Sequence, residues 1–210
     1  MKYEGTYKNF FLFIVVALWS IIDSIYNMVV DMMMIIKDLA TCGKKYQVIY
    51  ADPPWRYEHL PIGSKGRAIE RHYPTMSVED IKKLPIKSLG KENSALFLWS
   101  TSPKLRESLE VMLSWGYVYR TCVIWDKEII GMGYWFRNQH EILLIGLRGK
   151  FSPPAPQMRE RSVYRERRTK HSVKPNYFRN WLSKCFSTSS KIELFARQQV
   201  EGWDCWGNEV

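Results

Sequence analysis

The chain has 210 residues, 46% of them hydrophobic and 14% aromatic, enough for one core of ordinary size and hence one catalytic domain. A formal charge of +10 favours an anionic partner, nucleic acid before a membrane surface, although charge speaks to association and not to fold. Cys42, Cys122, Cys185 and Cys205 form no C-x-x-C pair and lie in core-like segments, and His59, His72, His140 and His171 are equally scattered, which argues against a disulfide framework or a metal site and reads as an intracellular chain.

Residues 1–43 differ from everything after them. The run FFLFIVVALWSII, Phe10 to Ile22, is free of charge, and Asp23 and Asp31 punctuate an apolar continuation to Ile36. Thirteen uncharged residues fall short of a bilayer span. A longer span would carry Asp23 at a cost of up to about 3 kcal/mol. Two expectations follow for residues 10–36: contact with a membrane as an anchor or interfacial helix, or a helix packed on the domain or a dispensable leader, since Met28 and Met32 to Met34 are alternative starts. A secretory signal fits poorly, because no small-residue cleavage site follows the apolar run.

From Lys44 onward short apolar runs alternate with helix-like segments, the pattern of an α/β domain with a largely parallel sheet, assigned to residues 44–210. Strands are predicted at 46–51, 95–100, 120–126, 141–147 and 191–196, several of them apolar on successive residues, as strands covered on both faces must be. A helix is predicted after Ser102, with Ser102 as cap, Pro103 in the first turn, Leu105, Leu109 and Met112 on one face and Gly116 closing it. A second opens at Pro175 with a stripe of Phe178, Trp181, Leu182 and Cys185. Between Gly146 and Lys184 stand eleven Lys or Arg against Glu160 and Glu166, in a polar stretch without apolar period. Such a loop, with Arg165, Arg167 and Arg168 near its centre, is suited to tracking a phosphate backbone.

The first strand ends on Asp52-Pro53-Pro54-Trp55. In open α/β sheets ligands sit outside the carboxyl ends of strands, which is where this turn falls. Two prolines stop the ladder, stiffen the turn and leave nearby carbonyls free to accept hydrogen bonds. Asp52 adds a carboxylate and Trp55 a flat apolar face. Such a group suits the exocyclic amine of a base: acceptors hold both amine hydrogens and draw the nitrogen lone pair out of conjugation, while the indole stacks on the ring. When the amine attacks a methyl group, positive charge develops on nitrogen, and a fixed carboxylate favours that state.

IYADPPWRY, HYPTMS at 72–77, ALFLWST, NQHEILLIG at 138–146, HSVKP at 171–175, KIELFAR and the terminal GWDCWGNE, in that order, resemble the MT-A70 family, which comprises the catalytic subunit of the messenger-RNA adenosine methyltransferase and bacterial and phage DNA-modifying relatives. The resemblance covers residues 44–210. It implies a Rossmann-like methyltransferase fold using S-adenosyl-L-methionine, in the permuted order with the catalytic turn first and the cofactor strand last. By the same resemblance Asp52 to Trp55 form the catalytic turn, Lys174 pairs with the cofactor carboxylate, Arg197 stands at the ribose edge, and Asn208 and Glu209 contact the cofactor adenine or ribose. Tyr73, Asn138 and Glu141 are expected on the substrate side. The chain departs from the messenger-RNA branch at Gln198-Gln199, where that branch has histidine and asparagine, and in the hydrophobic leader that stands where that branch touches the cofactor adenine. The expectation is an adenine N6-methyltransferase that flips a base into a pocket at the turn, with DNA favoured because the chain looks close to a bare catalytic core. RNA methylation is the alternative within the enzyme class, and a catalytically silent nucleic-acid-binding subunit the alternative outside it. No metal is expected.

Overall fold

A computed structural model describes residues 38–57, 75–133, 135–169 and 173–210. The expectations placed on residues 10–36, on Tyr73 and on three of the four histidines lie outside the described residues. Among those described, no helix is long and apolar enough to cross a membrane.

The first strand, β1 (Tyr46–Ala51), is buried almost throughout, and its side chains alternate between two cores. Ile49 and Ala51 enter one, while Val48 and Tyr50 enter the other. The next strand, β2 (Gly90–Ser100), repeats this with Leu96 and Leu98 against Phe97 and Trp99. Both faces of the sheet are therefore covered at these two strands, which is the physical reason for their unbroken apolar runs. On one face lie α1 (Val78–Lys83), α2 (Ile86–Leu89) and α3 (Leu105–Ser114), which supply Ile81, Ile86, Leu89, Val111 and Met112. On the other lies α4 (Asn176–Cys185), with Phe178 and Leu182.

Five further strands complete a seven-stranded sheet: β3 (Val118–Asp126), β4 (His140–Arg148), β5 (Val163–Arg165), β6 (Lys191–Leu194) and β7 (Asp204–Trp206), in the order β5-β3-β4-β2-β1-β6-β7. The pairs β1–β2, β1–β6, β6–β7 and β3–β5 are parallel, and β4 is antiparallel to both neighbours. Six strands thus point one way and β4 the other. The carboxyl ends of β1, β2, β3, β5, β6 and β7 and the amino end of β4 meet along one edge of the sheet.

The helix after β2 differs from its predicted form. Ser102 to Lys104 make a 3₁₀ turn without a side-chain cap, and the Ser102 hydroxyl shares a hydrogen bond with His140 Nε2 at 3.0 Å. The buried stripe of α3 is Ser108, Val111 and Met112, with Leu105 and Leu109 at its exposed margin. Its end is as expected: Gly116, at φ 84°, lets its own N–H reach Leu113 O at 2.9 Å and the Tyr117 N–H reach Met112 O at 3.0 Å, satisfying two carbonyls of the last turn. The basic stretch also carries more order than predicted, because β5 lies within it. Tyr164 turns inward there and stacks on Tyr177 with ring centres 3.9 Å apart.

Candidate active site

The shared sheet edge opens into a cleft of about 750 Å³. Its wall takes Asp52, Pro53, Pro54, Trp55 and Tyr57 from the β1 turn, Ser100 and Thr101 from the end of β2, and Glu141 from the start of β4. Arg168, Lys174, Phe195 to Arg197 and Trp206 to Glu209 close the remainder. Every one of these sits at a strand terminus or in the loop leaving it, so the topology assembles the cleft.

Its electrostatic centre is a chain of four charges. Lys174 Nζ donates to both carboxylate oxygens of Asp52 at 2.7 Å and lies 3.3 Å from Oε2 of Glu141. Lys127 donates to Oε1 of Glu141 at 3.2 Å. Lys174 also sits over the Trp99 ring, 5.5 Å from its centre. Burial works against the Lys174 ammonium, but the carboxylates of Asp52 and Glu141 outweigh it and hold it charged well above the usual lysine range. Burial pushes Asp52 above the ordinary carboxylate range, with Lys174 opposing. Burial likewise acts upward on Glu141, where Lys174 and Lys127 together prevail and pull it down. The asymmetry follows from the count: Glu141 faces two ammonium groups, and Asp52 shares one of them.

The turn itself is firmly built. Trp55 N–H bonds Pro53 O at 2.9 Å, and Pro54 O accepts the Met76 N–H at 2.8 Å. Each proline carbonyl is thus already engaged once and keeps one lone pair, not two, for a ligand. Trp55 is 6% exposed and its indole N–H is bound to Trp99 O at 3.1 Å. The indole is a wall of the cleft and a member of the core, not the open stacking face expected of it. Tyr57, two residues on, is the less buried ring at this point, with its hydroxyl 2.7 Å from Thr101 Oγ1 and Lys104 Nζ 5.6 Å from its centre.

At the other end Phe195 takes a left-handed conformation at φ 61° where β6 ends, and packs edge-on against Trp206 at 5.2 Å. The Ala196 N–H bonds Trp206 O at 2.9 Å, so the segments after β6 and β7 lie side by side and bring Arg197 within 3.5 Å of Glu209. Asn208 and Glu209 line the same wall. The structure does not bring every predicted residue here. Asn138 belongs to the connection between β3 and β4, Arg165 is tied to Asp126 at 3.1 Å on β5, and neither they nor Arg167 line the cleft. Conversely Tyr57, Trp99, Thr101, Lys127, Phe195 and Trp206 escaped sequence reasoning. Thr101 and Lys127 carried a signal, as they follow β2 and β3 just as Asp52 follows β1.

The sequence matches the MT-A70 family model over residues 46–209. The chain belongs to the MT-A70 family. Among its relatives, the Type II methyltransferase M.MunI of a Mycoplasma species is 34% identical over 183 residues, covering 80% of this chain and 78% of that protein. The N(6)-adenosine-methyltransferase subunit METTL3 of Danio rerio is 29% identical over 189 residues, and the N(6)-adenine-specific methyltransferase METTL4 of Mus musculus 26% over 195. Both alignments take in 82% of this chain but only 29% and 39% of the relatives, so the chain spans well under half of either. As an MT-A70 protein it is an S-adenosylmethionine-dependent methyltransferase. The MT-A70 cleft fits that cofactor chemically: Asp52, Glu141 and Lys174 offer charges of both signs for a zwitterionic amino acid, aromatic rings line the wall, and the polar groups of Asn208 and Glu209 suit a ribose or a base edge.

Proposed function

We propose that the protein transfers a methyl group to the exocyclic N6 amine of adenine in DNA, at the Asp52 to Trp55 turn. The observation that carries this reading is the meeting of the Asp52 carboxylate with Lys174 and the Arg197 to Glu209 wall in one cleft. Bound S-adenosylmethionine supplies an electrophilic methyl group. Lys174, Arg197, Asn208 and Glu209 are assigned to hold it, with Lys174 aimed at the carboxylate of its amino-acid end.

Asp52 and the remaining lone pair of a proline carbonyl accept the two amine hydrogens and orient the nitrogen lone pair out of the ring plane. As nitrogen attacks, the N–C bond would form while the S–C bond of the donor breaks and its sulfur leaves as a neutral thioether. The nitrogen gains positive charge, which the fixed carboxylate favours over the neutral amine, and then sheds one of its protons to solvent. Asp52 is therefore an electrostatic stabiliser first. Tyr57 is assigned the stacking role, because Trp55 is committed to the core. Tyr57→Leu should raise KM for the nucleic acid more than it lowers kcat, and the reverse split in steady-state kinetics would remove Tyr57 from this role. Glu141 and Arg168 line the substrate side, and Arg165 and Arg167 extend the basic surface beyond it. Tyr73 and Asn138 are kept as substrate-side candidates from the family resemblance alone.

DNA is favoured over RNA because the similarity extends along 78% of M.MunI but only 29% of METTL3. The reading places the enzyme in the cytoplasm and the catalytic domain at residues 44–210. The test is to incubate the purified protein with labelled S-adenosylmethionine and unmethylated DNA or RNA, digest, and identify the modified nucleoside. N6-methyldeoxyadenosine supports the proposal, and N6-methyladenosine from RNA alone would transfer it to the alternative. Label on neither would leave a silent nucleic-acid-binding subunit.

A further inference from the structure

The connection from Lys127 to Gln139 leaves the same sheet edge as the cleft and is rooted in its wall. Lys127 bonds the cleft residue Glu141, and its carbonyl accepts the N–H of Arg168, which also lines the cleft, at 3.2 Å. Above the root the two limbs are tied together: Lys127 N–H to Gln139 O at 2.9 Å, Gly131 N–H to Asn138 O at 2.8 Å, Asn138 N–H to Met132 O at 3.1 Å, and Arg137 Nε to Gly131 O at 2.6 Å. Gly133 approaches the far limb so closely that a Cβ there would collide with Phe136 O. The result is a laced hairpin whose tip presents Trp135 and Phe136, 95% and 86% exposed, with Ile130 and Met132 also open to solvent.

Two aromatic rings held almost wholly in water on a tied loop mark a contact surface. The chemistry around them selects the partner. Arg137 lies in the hairpin, Arg165 and Arg168 lie at its root, and the whole chain carries +10. A partner that is apolar where the rings enter and anionic on either side is a base stack between phosphate ridges. The tip is also within reach, since the six residue-to-residue steps from Trp135 to Glu141 span at most about 22 Å even fully extended.

We propose that Trp135 and Phe136 form a wedge that enters the base stack of duplex DNA and fills the space left when the target adenine swings into the cleft. The step is non-covalent. Unstacking is offset by ring contact, and the arginines hold the flanking phosphates. The inference rests on the proposed adenine reading for which base leaves the stack.

The experiment uses the full chain and its Trp135→Ala/Phe136→Ala variant, with fluorescence anisotropy on a fully paired duplex and on the same duplex bearing one abasic site. An abasic site already lacks the base whose place the wedge takes. The wild type should bind it about tenfold more tightly than the paired duplex, and the variant should lose that preference while keeping paired-duplex affinity and salt dependence. An unchanged melting temperature verifies that the variant is folded. The proposal is overturned if the wild type shows no preference, if the variant weakens on both duplexes equally, or if sedimentation shows a wild-type dimer that the variant converts to monomer, which would make the tip a contact between copies. An abasic preference in a protein that forms no N6-methyladenine would reject the enzyme reading and keep the wedge.

Discussion

At neutral pH Lys174 cannot neutralise Asp52 and Glu141 together, and Lys127 lends its charge to Glu141 alone. The two carboxylates consequently affect folding with opposite sign. The folded pKa of Asp52 lies above its ordinary 3.8, so its ionisation weakens the fold as pH rises through that value. Asp52→Asn should therefore cost at least about 100-fold in turnover while nucleic-acid binding and the melting temperature at pH 7 hold or rise. A fall of several degrees would mean that the Lys174 pair outweighs burial. The folded pKa of Glu141 lies below its ordinary 4.5, so its contribution is present above that pH and is lost as pH falls through the folded value. Glu141→Gln should lose about 1.5 to 3 kcal/mol in urea denaturation at pH 7, with the deficit shrinking in acid. A deficit independent of pH would point to packing instead of charge.

Among elements, β5 decides how the basic stretch works. Its three residues pair with Ile124 to Asp126 on β3 and hold Tyr164 against α4, so the arginines that follow are mounted on the sheet and not on a free loop. They are not equivalent. Arg165 already faces Asp126 and Glu128, whereas Arg167 is exposed and Arg168 enters the cleft wall. Replacing Arg165, Arg167 and Arg168 by glutamine should flatten the salt dependence of duplex binding by about 0.9 log units per lost phosphate contact, so nearer two contacts than three. Binding should weaken alike on all sequences. A variant with the wild-type salt slope would leave the stretch with no phosphate role.

For the whole molecule the question is where the catalytic domain begins. The sequence pattern sets the apolar leader at residues 1–43, yet Leu39 is 3% exposed within the core that holds β1 and α1 to α3, and Cys42 packs against it. A chain starting at Met34 keeps Leu39 and should stay soluble, melt cooperatively and retain methyl transfer. One starting at Lys45 loses it and should be less stable by about 2 to 5 kcal/mol, the cost of emptying a leucine site. Urea titrations of both truncations beside the full chain check this. An insoluble Met34 form would show that the segment before it belongs to the core.

How much of this was readable in one dimension depends on the range of the interaction concerned. Burial on both faces writes itself into consecutive apolar residues, so β1 and the core of β2, β4 and β6 were legible, as were the Gly116 helix end and the stop that Pro53 and Pro54 impose on β1. The apolar run at the carboxyl end of β3 was legible too, although Trp125 is the one buried residue of that strand. The edge strands β5 and β7 have three residues each, too few to display a period, and their pairing comes from β3 and β6. The family resemblance placed Asp52, Lys174 and Glu141 in one site. Their sharing of a single ammonium, across 122 residues from Asp52 to Lys174, became visible only when β4 reversed direction and brought its amino end to the edge where the other strands finish. The same packing buried Trp55 against Trp99 O and left Trp135 and Phe136 in water. A tryptophan's chemistry is local, but whether its face is a wall or a probe is set by neighbours far away along the chain.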